Sequence, residues 1–250
     1  MPKSGQNPRR GIYLLPNLFT TAALFSGFYA IVAAINGRFE AAAIAVFCAM
    51  VLDGMDGRVA RMTNTESDFG AEYDSLSDMI SFGLAPGLVI YEWALTELGR
   101  IGWVVAFVYT VTAALRLARF NTQVETADKN YFQGLPSPSA AGIVVGFVWI
   151  GAEYQLEVTR GLGVIALIIT LLAGALMISN VRYSSFKTID FKGKVPFVHI
   201  LTTVLVFVLI ALEPPSVLFG IFAAYALSGP VLTLLKLKEH REKRSSSDNS

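Results

Sequence analysis

Cysteine occurs once and histidine twice in this chain of 250 residues. A lone Cys48 excludes an internal disulfide, and its place in an apolar run marks it as a packing residue. His199 and His240 are far apart in the sequence, so a metal site built on histidine and cysteine is excluded. Charge is scarce as well: Asp, Glu, Lys and Arg make up 16% of the chain, against about 25% in an ordinary soluble domain. The formal net charge of +1 gives no electrostatic footprint for nucleic acid, so no nucleic-acid partner is expected. No internal repeat is present, which removes the sequence signature of inverted-repeat transporters.

Apolar residues fill the space that charge leaves. They are 54% of the chain and the mean hydropathy is +0.54. They fall in runs at 18–36, 40–52, 79–98, 101–119, 139–152, 161–179, 196–212 and 215–235. A membrane span takes about 20 residues, and the polar neighbours of 40–52 and 139–152 extend those two into the headgroup region. The expected fold is all-α: a polytopic membrane bundle of about eight transmembrane helices, occupying 1–235, followed by a basic, Ser-rich tail at 236–250. The tail is expected to be a frayed helix end followed by a disordered end. Lys3, Arg9 and Arg10 precede the first run as in a signal peptide, but that run is long and more spans follow, so it reads as a first transmembrane helix.

An even number of spans puts both termini on one side. That side collects Lys3, Arg9 and Arg10, then Arg58 and Arg61, then Arg116, Arg119 and Lys129. It also takes Arg182, Lys187, Lys192 and Lys194, and last Lys236, Lys238, Arg241, Lys243 and Arg244. Only Arg38, Arg100 and Arg160 are left for the other side. Positive charge marks the cytoplasmic face, so both termini and the polar connections are expected in the cytoplasm, in a bacterial inner membrane.

Against this background VLDGMDGRVARMTNTESDFGAEYDSLSDMISFG, residues 51–83, is anomalous, with Asp53, Asp56, Asp74 and Asp78 between two apolar flanks. At 100° per residue, Asp53, Asp56, Gly57 and Ala60 share one helical face, and Gly70, Asp74, Ser77, Asp78 and Ser81 share another. MTNTESDF breaks the apolar pattern between them, and Thr65 with Asp68 has the spacing of a capping box. An antiparallel hairpin with both acidic faces near its cytoplasmic end follows. Carboxylates so crowded must protonate, pair with cations or hold a metal. Arg58 and Arg61 are too few to neutralise them. Oxygen donors alone suit a hard ion such as Mg²⁺ or Mn²⁺, and the small residues leave room for a ligand, which structural ion pairs would not need.

The spacing Asp53-x-x-Asp56-Gly57-x-x-Ala60-Arg61, eight residues, Gly70-x-x-x-Asp74-x-x-x-Asp78 resembles the complete signature of the CDP-alcohol phosphatidyltransferases. The resemblance implies a divalent metal, Mg²⁺ or Mn²⁺, held by Asp53, Asp56 and Asp74 on the pyrophosphate of a CDP-linked donor. It makes Asp78 the general base and a further metal ligand. It places Gly57, Ala60, Arg61 and Gly70 around CDP-diacylglycerol, and it carries over a homodimer. LPNLFT, residues 15–20, resembles the family's entry to its first span and brings Asn17 and Thr20 to the nucleotide.

Two more stretches, LRLARFN at 115–121 and FQGLPSPSAAG at 132–142, resemble the integral-membrane phosphatidylserine synthases within that family. Arg116 and Arg119, three apart, share a face and suit a phosphate or the carboxylate of serine. Pro136 and Pro138 start a helix, with Ser137 and Ser139 near its N-terminus, a place for anions. The acceptor set is therefore Arg116, Arg119, Asn121, Ser137 and Ser139. The implied reaction joins CDP-diacylglycerol and L-serine to give phosphatidylserine and CMP. The nearest alternative is the same chemistry with glycerol 3-phosphate or inositol phosphate, which needs a richer basic pocket. A cation transporter is a more distant one: transporter sites lie near the bilayer midplane on broken helices, whereas these acids sit at one end of a hairpin.

Overall fold

The structure is a computed structural model that describes residues 14–123, 131–184 and 197–247. Nine α-helices dominate them: α1 (Leu14–Ile35), α2 (Phe39–Thr63), α3 (Asp68–Asp78), α4 (Ala85–Trp93), α5 (Arg100–Gln123), α6 (Ser137–Glu153), α7 (Arg160–Ile178), α8 (Phe197–Leu212) and α9 (Pro214–Ser247). A π-helical turn, Met79–Leu84, joins α3 to α4, and a 3₁₀ turn, Leu95–Leu98, leads to α5. Each of the eight apolar runs lies on this helical framework. Four helices are long and apolar enough to cross a membrane: Leu15–Ile35, Arg100–Thr122, Arg160–Ile178 and Pro214–Thr233. Ser137–Glu153 and Ile200–Leu212 are shorter apolar helices.

The packing is that of a bundle made for lipid. α1 lies along α2 through Ala30, Ala33 and Ala34 on one side and Ala42, Ala43, Val46 and Ala49 on the other, all buried. Small side chains let two backbones approach closely, which is how helices associate when lipid removes the hydrophobic drive. The large side chains point the other way: Phe25 and Phe28 of α1, Trp103 and Phe107 of α5, and Val204 and Phe207 of α8 are exposed. An apolar exterior of this extent needs a non-aqueous surrounding. α6 runs through the middle, with Val144, Val145 and Val148 fully buried against its neighbours.

Four features depart from the expectation. The all-α fold carries a two-stranded antiparallel ribbon, β1 (Tyr131–Gln133) with β2 (Arg182–Ser184), pairing Tyr131 with Ser184, Phe132 with Tyr183 and Gln133 with Arg182. α3 is capped by Ser67, whose hydroxyl accepts from the Gly70 N–H at 3.1 Å, and not by Thr65. Asn64 ends α2 in the left-handed conformation, which spends Thr65 on a 2.7 Å contact with the Thr63 hydroxyl. α9 continues as helix through the basic tail to Ser247, where a frayed end and disorder were expected. Lastly, α3 leans on α1 and scarcely packs against α2, so the expected hairpin is propped open by α1. The cations Lys3, Arg9 and Arg10, Lys129, and Lys187, Lys192 and Lys194 lie outside the described residues.

Candidate active site

The cluster forms because α1 serves as the bracket for both acidic helices. Ser77 of α3 donates to the Thr20 carbonyl and Ser81 of the π turn donates to the Ala23 carbonyl, each at 3.2 Å. Gly27 makes this approach possible, since a Cβ there would sit 2.7 Å from the Ser81 Cα. On the far side Tyr109 of α5 donates at 3.0 Å to the Phe82 carbonyl, within the π turn. The wide turn that follows Asp78 is thereby tied to both neighbours. Such turns are frequent at functional sites.

Along this bracket Asp53 and Asp56 of α2 meet Asp74 of α3, with one oxygen from each lying within 4.8 Å of the others. Asp56 is buried and fixed from two sides, accepting from the Thr20 hydroxyl at 2.8 Å and from the Gly57 N–H. Asp53 lies against both Asp74 and Asp78. Asp78, one turn beyond Asp74, lies within electrostatic range of Arg116 of α5. One buried oxygen of Asp74, Oδ1, has no hydrogen-bond partner. Three converging carboxylates, one of them with an orphaned buried oxygen, are the donor set of a hard divalent cation. The residues present fit such an ion, and Asp53, Asp56 and Asp74 would hold it.

The other predicted residues divide between two sides of this cluster. Asn17 lies by Gly70, where a Cβ would be 3.6 Å from its Oδ1, and the Arg61 guanidinium lies equally close to the Cβ position of Gly57. Gly57, Ala60 and Gly70 are half-buried and leave a low wall beside the carboxylates. Thr20 is placed as an orienting partner of Asp56. On the opposite side Arg116 donates at 2.9 Å to the hydroxyl of buried Ser137, while its buried Nε has no partner. Ser139 is buried further into α6.

The structure separates the two arginines. Arg119 donates to the carbonyls of Ile178 at 2.9 Å and Ser179 at 3.5 Å, so it caps the end of α7 and turns away from Arg116. Asn121 donates to the Ser75 hydroxyl at 3.0 Å, joining α5 to α3 beside Asp74. Ser77 and Ser81, which share the acidic face in the sequence, are spent on α1. Ser75 and Tyr109 carry no sequence signal of their own, and their roles emerge only when α5 is placed.

Asp74 lies on α3 ahead of the apolar stretch that begins at Met79. Burial, then the charges of Asp56 and Asp53, push it from 3.8 up to about 8 when no cation is bound. The folded, metal-free protein therefore holds a proton that the unfolded chain gives up near pH 4. Its stability falls as pH rises between about 4 and about 8. A cation competes with that proton, so its affinity rises over the same window and levels off above it. Melting curves of metal-free protein should move down from pH 6 to pH 8.5, and added Mn²⁺ should restore more at pH 8.5 than at pH 6. A metal-free melting temperature that does not change with pH would show that Asp74 is ionised throughout.

Comparison with known proteins agrees with this geometry. The family profile described as CDP-alcohol phosphatidyltransferase matches residues 13–179. The chain is 39% identical over 237 residues to the CDP-diacylglycerol–serine O-phosphatidyltransferase of Helicobacter pylori, covering 94% of this chain and 99% of that protein. It is 37% identical over 153 residues to the protein of the same name from Mycobacterium tuberculosis, covering 58% and 53% respectively. It is 36% identical over 171 residues to the archaetidylserine synthase of Methanothermobacter thermautotrophicus, covering 68% and 69%.

Proposed function

The chain belongs to the CDP-alcohol phosphatidyltransferase family, and on that footing we propose that it transfers the phosphatidyl group of CDP-diacylglycerol to the hydroxyl of L-serine, releasing CMP and phosphatidylserine. The observation that carries this is the convergence of the motif carboxylates of α2 and α3, with Asp78 and Arg116 adjoining. Residues 1–235 form the catalytic membrane domain and 236–250 its basic tail. Eight spans, both termini and the site on the cytoplasmic side of a bacterial inner membrane, and a homodimer complete the proposal. Nucleotide and serine then arrive from water, while the acyl chains stay in lipid.

The donor lies with its cytidine against Asn17, Gly57, Ala60, Arg61 and Gly70, and its pyrophosphate at Asp53, Asp56 and Asp74. A divalent cation there, Mg²⁺ or Mn²⁺, supplies charge neutralisation of the pyrophosphate and of the leaving CMP. Arg116, held by Ser137, takes the carboxylate of serine through its unpartnered Nε side. Asp78 accepts the proton of the serine hydroxyl as the oxygen attacks the phosphorus that bears diacylglycerol. The new serine O–P bond forms as the bond to the CMP phosphate breaks. Phosphoryl transfer of this kind asks the protein chiefly for position and charge.

Serine is favoured over a phosphorylated alcohol on two grounds. The relatives' names are those of serine and archaetidylserine enzymes. Among the described residues Arg116 is the cation beside Asp78, and Arg119 is committed to the end of α7. A dianionic acceptor phosphate asks for more positive charge than this. Purified protein given CDP-diacylglycerol, Mn²⁺ and a panel of labelled alcohols should release CMP with serine and not with glycerol 3-phosphate or inositol phosphate. The reverse pattern would keep the chemistry and overturn the acceptor.

A further inference from the structure

The family profile ends at residue 179, yet a side chain well beyond it lies within electrostatic range of Arg116. Tyr225 of α9 is half-buried and belongs with Asp78 and Tyr109 to the groups close enough to act on the charge of Arg116. It is held there by a built contact. Tyr183 of β2 is fully buried, packs its ring against that of Tyr225 with centroids 5.4 Å apart, and donates to the Ala226 carbonyl at 2.9 Å. One turn further on, α9 presents Gly229, where a Cβ would be 2.5 Å from the Tyr183 ring. No other residue type permits that approach without displacement. β2 is paired in turn with β1, which runs into the loop that delivers Ser137. Ribbon, α9 and the Arg116–Ser137 pair thus form one connected unit around a guanidinium whose buried Nε is unpartnered.

We propose that Tyr225 is a specificity-determining residue of the acceptor pocket, its phenol contacting the amino acid whose carboxylate Arg116 holds, and that Tyr183 is the residue that positions it. The proposal rests on serine being the acceptor. A buried unpartnered guanidinium donor is costly unless a ligand fills it, and a carboxylate does so in two-pronged fashion. An α-amino acid brings an ammonium only a few atoms from that carboxylate. The phenol oxygen accepts from it, and the ring face attracts it. Both groups are needed to tell serine from an alcohol that has only one of its charges.

The test is steady-state kinetics on the full chain in detergent, comparing wild type, Tyr225→Phe, Tyr225→Gln and Tyr183→Phe, with a melting curve for each. Tyr225→Phe should raise KM for serine by about tenfold or more, the scale of one hydrogen bond to a charged group. KM for CDP-diacylglycerol and kcat at saturating serine should stay within about twofold, because a contact to serine made equally in the ground and transition states changes its KM alone. Tyr225→Gln, which keeps a polar tip, should recover part of the loss and serves as the second variant if the first does not fold. Tyr183→Phe should raise the same KM, and the double variant should add little to Tyr225→Phe, as expected of residues that act through one contact. An unchanged serine KM in a normally melting Tyr225→Phe overturns the proposal. So does an equal loss in serine KM, donor KM and kcat, which would make α9 a structural cover. Wild type that ignores serine but uses another alcohol overturns the acceptor assignment itself, a result distinct from either.

Discussion

Asp56→Asn should reduce CMP release by about 10³, the upper end of what one pre-organised electrostatic element contributes. Asp56 is the most buried of the four carboxylates and the one held from two sides, by the Thr20 hydroxyl and the Gly57 N–H. Its orientation is fixed before any ligand arrives, so its charge is available in the right place without reorganisation. Asparagine keeps the shape but removes the charge, and its amide can offer only one oxygen where the carboxylate offered two. Asp53 and Asp74 remain, too few to hold a hard cation against the water it prefers to keep. The loss should therefore show first as weakened, metal-dependent binding of CDP-diacylglycerol. Chelation of the wild type should do the same in full, with Mg²⁺ or Mn²⁺ restoring activity. The measurement is donor affinity and CMP release across a metal titration. Full activity in excess EDTA would sink the metal assignment altogether.

The carboxylates were legible in the sequence because their chemistry is local. Asp53 and Asp56 are one turn apart, as are Asp74 and Asp78, and helical periodicity alone puts each pair on a face. The eight apolar runs were legible for the same reason, and each lies on the helical framework. What the sequence did not reveal depends on contacts between distant segments. Arg116 and Arg119 share a helical face, yet the end of α7 draws Arg119 to the carbonyls of Ile178 and Ser179 and leaves Arg116 with Ser137. The strands β1 and β2 are three residues each and gain their pairing only from each other. They lack the length for a period-two pattern to stand out. The π turn after Asp78 has no composition signal either. It persists because Tyr109, Ser81 and the close pass of Gly27 hold it. Ser77 and Ser81 show the limit of a helical wheel: the wheel put them with the acids, and α1 claimed their hydroxyls.

Asp78→Asn should separate proton transfer from donor binding. Asp78 is outside the trio whose oxygens converge within 4.8 Å, although Asp53 lies in contact with it. It stands at the end of α3 where the π turn begins and is the carboxylate that acts on the charge of Arg116, which places it on the side of the proposed acceptor. As the proposed base, Asp78 would meet the incoming hydroxyl while the donor is held by the other three carboxylates. Asparagine preserves its volume and its hydrogen-bonding reach but cannot take up a proton. Turnover should fall by about 10² or more, the ordinary contribution of a positioned general base. Metal-dependent affinity for CDP-diacylglycerol should stay close to wild type, and KM for serine should move little, because Arg116 keeps its place through Ser137. Asp56→Asn, by contrast, should lose donor affinity before anything else. Measuring donor affinity, serine KM and kcat for both variants in the same detergent distinguishes the two roles. If Asp78→Asn loses donor binding as severely as Asp56→Asn, Asp78 is chiefly a metal ligand, and the proton of the serine hydroxyl must leave by another group.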